Sequence, residues 1–198
     1  MLSLRPLPAA NMTSPLSETR HPDVVRMSNA MPSTDDHTEL LEPYRPWLTL
    51  KTSMTQAIGQ AFCSDVTVNV LACGTEDGAP WERRALNSSE PLFVRHIQLC
   101  AGTEPVALAR TVTSATGPGR HLLTNLTNQP LAEVLFRNAA WQRGSEIINL
   151  LATGELPGRA IKWVRAGSIP TTLLVEEFFL LPLYTLATPS SGDSAHSD

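Results

Sequence analysis

Apolar and polar positions alternate with period two over six stretches of the chain: 66–72, 92–100, 105–113, 145–152, 159–166 and 172–180. Each predicts a strand. Two stretches carry helical spacing instead. In 52–62, Thr52 and Ser53 supply capping residues, and Met54, Ala57, Ile58 and Ala61 fall on one face. In 130–138, Pro130 stands at a first-turn position ahead of Leu131, Val134 and Leu135. Ala101-Gly102-Thr103-Glu104 joins two strands as a hairpin, and Gly167-Ser168-Ile169-Pro170 joins another pair. Several neighbouring strands with few helices predict one α+β domain, an antiparallel sheet with helices packed on one side.

Residues 1–37 are rich in Pro, Ser, Thr, Asn and Met and show no period, so they are expected as a disordered leader. Met12, Met27 and Met31 are alternative starts within it. Residues 187–198 form a second polar stretch, expected as a disordered tail. The folded domain is expected over 38–186, and no internal repeat is evident.

Reading each strand by alternation exposes three charges on apolar faces. They are Arg95 among Phe93, Ile97 and Leu99; Arg110 among Val106, Leu108 and Val112; and Glu177 among Leu173, Val175 and Phe179. A charge withdrawn from water is costly unless paired. A two-residue hairpin loop at Gly102-Thr103 would set Arg95 directly opposite Arg110. Like charges so placed repel, which calls for an anion between them. Glu177 could serve one arginine and a ligand carboxylate the other. Two other readings stay open at this point: a purely structural ion pair, or a face exposed to water.

Composition narrows the function. The 198 residues are 42% hydrophobic and 17% charged, as in a globular protein with a sizeable core. A net charge of −4, with only 15 Lys and Arg, argues against a nucleic-acid partner. Three cysteines without CxxC spacing argue against a disulfide framework, and five histidines show no metal-ligand pattern. No metal or other cofactor is therefore expected. No stretch approaches the ~20 apolar residues of a membrane span, and a reducing cytoplasm is the simplest compartment. Ser53, Cys63 and Cys73 lack an evident base partner, Cys100 reads as a small core residue, and Gly117-Pro118-Gly119 lacks phosphate-loop spacing.

Four stretches resemble the chorismate lyase family in order and spacing. They are WLTLKTSMTQAI (Trp47 to Ile58), FVRHIQLCAGTEPVALARTV (Phe93 to Val112), QPLAEVLF (Gln129 to Phe136) and LLVEEFFLLPLY (Leu173 to Tyr184). The resemblance spans about 140 residues. It implies a compact monomer with an antiparallel sheet and an enclosed ligand cavity. It also implies release of pyruvate from chorismate to leave 4-hydroxybenzoate, a step of bacterial ubiquinone synthesis. Residue by residue, the family's carboxylate-binding arginine corresponds to Arg95 and its glutamate beside the substrate hydroxyl to Glu177. Two main-chain contacts correspond to Met54 and Leu131, and Arg110 matches a further arginine of the motif. Glu176 competes with Glu177 only if the strand slips by one residue.

The sequence departs from the family pattern at Ala132, usually Gly, and at Ser114, where Pro is common. Pro157-Gly158-Arg159 lacks the usual Trp, and the stretch from Arg159 to Glu177 is a few residues longer. The alternative function is a non-catalytic sensor of small aromatic acids, since effector domains of some bacterial regulators share this fold. Those domains normally follow a DNA-binding domain of about 70 residues, for which the 37-residue leader is too short and insufficiently basic.

Overall fold

The computed structural model describes residues 20–34, 37–144 and 146–187. In chain order its elements are α1 (Pro22–Ser28), β1 (Met31–Pro32), α2 (Thr38–Leu41), a 3-10 turn (Glu42–Tyr44), α3 (Arg45–Leu48) and α4 (Met54–Phe62). Then come β2 (Val66–Glu76), α5 (Pro80–Leu86), β3 (Leu92–Ala101), β4 (Glu104–Ser114), α6 (Pro118–Asn125) and α7 (Leu131–Arg137). The last described elements are β5 (Trp141–Arg143), β6 (Ile148–Ala152), β7 (Leu156–Arg165), β8 (Thr171–Phe179) and α8 (Leu181–Ala187). Among the described residues eight strands join one antiparallel sheet in the order β1-β6-β7-β8-β4-β3-β2, with β5 also on β7. The α+β class and its single sheet match the sequence expectation.

Helices cover both faces of this sheet, not one. On the first face, Ile97, Leu99, Ala109 and Phe179 pack against Tyr44, Trp47, Met54 and Ile58. Beside them, Phe93, Ile161, Trp163 and Leu173 pack against Leu123, Leu131 and Leu135. On the second face, Val94, Leu108, Val112, Leu174 and Phe178 meet Met27 of α1 and Trp81 of α5.

Residues 20–34 correct the expected leader, because they are part of the fold. His21 caps α1 by accepting from Asp23 N at 3.2 Å, and Pro22 opens the helix. Val24 and Met27, three apart, then share the buried side. Ala30 accepts a hydrogen bond from the Trp81 indole at 2.9 Å, and Met31 pairs with Leu151. A seven-residue helix buries too few positions to show a period, which is why composition alone pointed to disorder. Residues 1–19, 35 and 36 of the expected leader and 188–198 of the expected tail lie outside the described residues.

The β3–β4 hairpin corrects the expected register. Ala101 pairs with Glu104 and Cys100 with Pro105, but the next pair is Leu99 with Ala107. The extra residue is a β-bulge beside Pro105, a residue with no N–H to give to a ladder. Beyond the bulge every partner shifts by one. Arg95 faces Thr111, and Arg110 faces His96. Since side chains alternate across a strand, the shift sends Arg110 to the opposite side of the sheet from Arg95.

Candidate active site

An apolar slot opens between the first face of the sheet and helices α4 and α7. Its floor holds Ile97 of β3, Ala109 and Thr111 of β4, Val175 and Glu177 of β8, and Arg159, Ile161 and Trp163 of β7. Its cover holds Thr52, Met54 and Thr55 on one side, and Pro130, Leu131, Ala132, Leu135 and Phe136 on the other. The space between its walls is about 570 Å³ with the mouth included, but only about 50 Å³ is open to the centre of a water molecule. A slot this narrow suits a small flat molecule.

The local sequence explains the two covers. Ser53 caps α4, its hydroxyl accepting from Gln56 N at 3.3 Å, so Met54 begins the helix with its side chain buried. Pro130, with an extended backbone, precedes α7 and leaves Leu131 buried in its first turn.

Glu177 is held by an arginine that strand alternation alone did not single out. Arg159 donates Nε to Glu177 Oε2 at 2.7 Å, and its Nη2 stands 2.7 Å from the same oxygen as an ion-pair contact. Its Nη1 donates to Leu50 O at 2.6 Å and to Leu48 O at 3.3 Å. Arg159 thus ties the Glu177 carboxylate to the chain that leads into α4. Residue 158 must be glycine for this rung to form, because a Cβ there would meet the Glu177 carbonyl oxygen at 2.6 Å. Arg159 stood at the expected start of its strand, beside a departure from the family pattern. The usable signal was its phase, which it shares with Ile161 and Trp163.

A second cation joins from β5. Arg143 lines the slot, rests over the Trp163 ring at 5.5 Å and donates Nη2 to Lys51 O at 2.9 Å. Burial lowers its pKa, Arg159 lowers it further, and Glu177 opposes both.

Arg95 lies on the same face as this floor, two strands from Glu177, and is 2% exposed. Its Nη2 donates to Thr127 O at 2.6 Å and Gln129 O at 3.2 Å, in the loop leading to α7. Among the described residues its buried Nη1 has no hydrogen-bond partner, and burial draws the arginine's pKa down. A buried N–H left unmade is costly, so a ligand acceptor there would be well rewarded.

Arg110 is not part of this constellation. On the second face it donates Nε to Glu82 Oε1 at 2.7 Å, Nη2 to Glu82 Oε2 at 3.2 Å and Nη1 to Glu76 Oε2 at 2.9 Å. Its Cα partner on β8 is Glu176, the residue on the other phase from Glu177. Burial raises Glu76, but hydrogen bonds from His96 and Arg110 outweigh it and bring the pKa down to about 2. Glu176 is fully buried; among the described residues neither of its oxygens is hydrogen-bonded, and Arg110 Nε stands 3.9 Å from Oε2. Burial, then the Glu82 charge, push its pKa well above the ordinary value. Protonated, Glu176 itself becomes the donor, and Glu82 is the acceptor beside it. The second face therefore buries a structural charge cluster, and the anion expected between Arg95 and Arg110 has no place. Among the described residues no group of three or more His, Cys, Asp or Glu is placed to hold a metal ion.

A family model for chorismate lyase matches residues 27–188. The chain belongs to the chorismate lyase family. The match begins inside α1, in keeping with the part that helix plays in the second core. A protein named probable chorismate pyruvate-lyase from Marinobacter nauticus is 39% identical over 111 residues, 54% of this chain and 58% of that one. The alignment thus covers less than two thirds of that relative. A chorismate pyruvate-lyase from an Enterobacter strain is 32% identical over 145 residues, 70% of this chain and 84% of that one. Among solved structures, the C-terminal domain of histidine utilization repressor from Pseudomonas syringae is similar at TM-score 0.45 and 14% identity. It covers 66% of this chain and 99% of its own. A likeness that distant has no bearing on function. Of the positions matching the chorismate lyase pattern, Met54, Leu131 and Glu177 line one slot, Arg95 stands one rung along the sheet, and Arg110 lies across it.

Proposed function

We propose that this chain is a chorismate pyruvate-lyase, converting chorismate to 4-hydroxybenzoate and pyruvate. The observation that carries the reading is Glu177. It is a carboxylate set in the floor of a narrow apolar slot by Arg159, in a chain of the chorismate lyase family. Chorismate has a ring carboxylate at C1, an enolpyruvyl ether at C3 and a hydroxyl at C4. In the reaction the C3–O bond breaks and the C4 hydrogen leaves as a proton. The ring becomes aromatic and the departing enolpyruvate tautomerises to pyruvate. Atoms and charge balance without an oxidant, and aromatisation drives the step. The protein's task is to hold the ring in reactive geometry and manage one proton.

Arg95 anchors the C1 carboxylate with its open Nη1. Glu177 meets the C4 end, where it accepts from the hydroxyl and is placed to move the proton. The two groups belong to strands separated by β4, which suits substituents at opposite ends of one ring. Met54 and Leu131 bring the first turns of two helices onto the ring faces. On the same reading the protein is a cytoplasmic monomer that supplies ubiquinone synthesis, a placement that rests on the family resemblance.

Incubation of the purified protein with chorismate tests the activity. Pyruvate and 4-hydroxybenzoate should accumulate in equal amounts. Unchanged chorismate, together with tight 4-hydroxybenzoate binding, would contradict catalysis and favour a sensor.

A further inference from the structure

Chorismate brings two carboxylates, and the products carry away one each. Three arginines stand in or beside the slot. Arg159 is committed to other groups, with Nε hydrogen-bonded and Nη2 ion-paired to Glu177 and Nη1 donating to Leu48 O and Leu50 O. Arg95 is the anchor for the ring carboxylate in the reading above. Arg143 differs from both. It lines the slot, is half-buried, and among the described residues its guanidinium makes one hydrogen bond, from Nη2 to Lys51 O. A guanidinium has five N–H donors in a planar fork, so Arg143 retains the geometry that grips a carboxylate with two parallel bonds.

We propose that Arg143 receives the enolpyruvyl carboxylate, and that it thereby distinguishes the dianionic substrate from the monoanionic aromatic product. The inference rests on the lyase reading. Its placement follows from the substrate's own connectivity. The ether carbon C3 adjoins C4, so the group that leaves departs beside whatever holds the C4 hydroxyl. Glu177 holds that end, and Arg143 is the neighbouring cation with open donors. The electrostatics agree: Arg143 senses both the Arg159 charge and the Glu177 charge. Arg95, Arg143 and Arg159 against one Glu177 leave the site with two surplus positive charges, matched to a dianion. Loss of the second carboxylate as pyruvate removes the Arg143 contact, so product is held at the Arg95 end alone. Trp163 lies under the guanidinium at 5.5 Å, within cation–π distance.

The test is a split between substrate and product. Arg143→Met keeps an unbranched stem over Trp163 and removes the fork. KM for chorismate should rise roughly tenfold or more, the loss expected for a hydrogen bond to a charged group. The Kd of 4-hydroxybenzoate should stay within about threefold of wild type. Arg143→Lys, which keeps the charge without the fork, should give an intermediate KM and an unchanged Kd. Should Arg143→Met fail to fold by circular dichroism, the lysine variant carries the same comparison. An unchanged KM in the folded variants, or equal loss for chorismate and 4-hydroxybenzoate, would overturn the assignment while wild-type turnover left the lyase reading intact. No pyruvate from the wild type would overturn both.

Discussion

Arg159 sets Nε and Nη2 each 2.7 Å from a single oxygen of Glu177, Nε as a hydrogen bond and Nη2 as an ion-pair contact, and both side chains lie on one rung of the sheet. The pair is nearly dry, with Arg159 side chain 2% exposed and Glu177 15%. Breaking such a pair from one side leaves a charge without its partner, at a cost of roughly 3–5 kcal/mol. Arg159→Met should therefore lower stability by about that amount. Adding Glu177→Gln to Arg159→Met should recover part of the loss, because the stranded charge is gone. Urea melts of the two single variants and the double variant decide this. Simple additivity would mean that the two groups do not depend on each other.

The bulge beside Pro105 separates Arg95 from Arg110, so the two arginines should fail differently. Arg95→Met should weaken 4-hydroxybenzoate binding by roughly tenfold or more, through loss of a charge-assisted contact. Arg110→Met should strand Glu76 and Glu82 on the other face and chiefly lower the melting temperature. Product affinity of the folded fraction should change little. Isothermal titration on both variants, with melts alongside, checks the contrast. Equal loss of affinity in the two would contradict the observed register.

Glu176 makes the protein's stability depend on pH in a direction opposite to most carboxylates. Its folded pKa lies well above the ordinary 4.5. As pH rises past 4.5 the unfolded chain gives up a proton that the folded chain keeps, so this group's contribution falls. Glu76 and Glu82, with pKa values lowered by Arg110 and its neighbours, contribute the reverse, and lose stability as pH falls below 4.5. Glu176→Gln fixes the neutral form. At pH 7 the variant should melt at or above the wild-type temperature, and the two should converge near pH 4. A clear fall at pH 7 would mean that Glu176 is charged and is an ion-pair partner of Arg110.

Much of the sheet was legible because strands of nine to eleven residues repeat their period several times. The expected strands at 92–100, 105–113 and 172–180 lie within one residue of β3, β4 and β8. The short helices α1, α2, α3 and α5 were not legible, since four to seven residues complete at most two turns, whereas the equally short α7 was marked by Pro130 ahead of its apolar face. Glu177 was readable as a charge on an apolar phase and by family pattern alike. Arg110 was readable as buried but not as to which side, because a single bulge residue beyond the hairpin reverses the phase. Arg159 and Arg143 reach the slot through pairing between β7, β8 and β5, which no local pattern encodes.

The chain's start offers a separate check on α1. A protein beginning at Met31 would lack Val24, Met27 and Ala30, all 2% exposed or less. Removing the first two alone forfeits roughly 3 kcal/mol or more of apolar burial. Trp81 would also lose the acceptor for its indole N–H. The melting temperature should fall by about 2–4 °C for each kcal/mol. A truncated protein that melts with the full chain would show α1 to be dispensable.

The role of Glu177 is tested most directly by Glu177→Gln, with pyruvate release and 4-hydroxybenzoate affinity measured on one preparation. The change keeps the shape of the side chain and removes the proton acceptor. Turnover of chorismate should fall by about a hundredfold or more, as for a lost general acid–base group. Product affinity should fall much less, since Arg95 and the slot walls remain. Turnover close to that of the wild type, with stability alone reduced, would contradict a part for Glu177 in the chemistry.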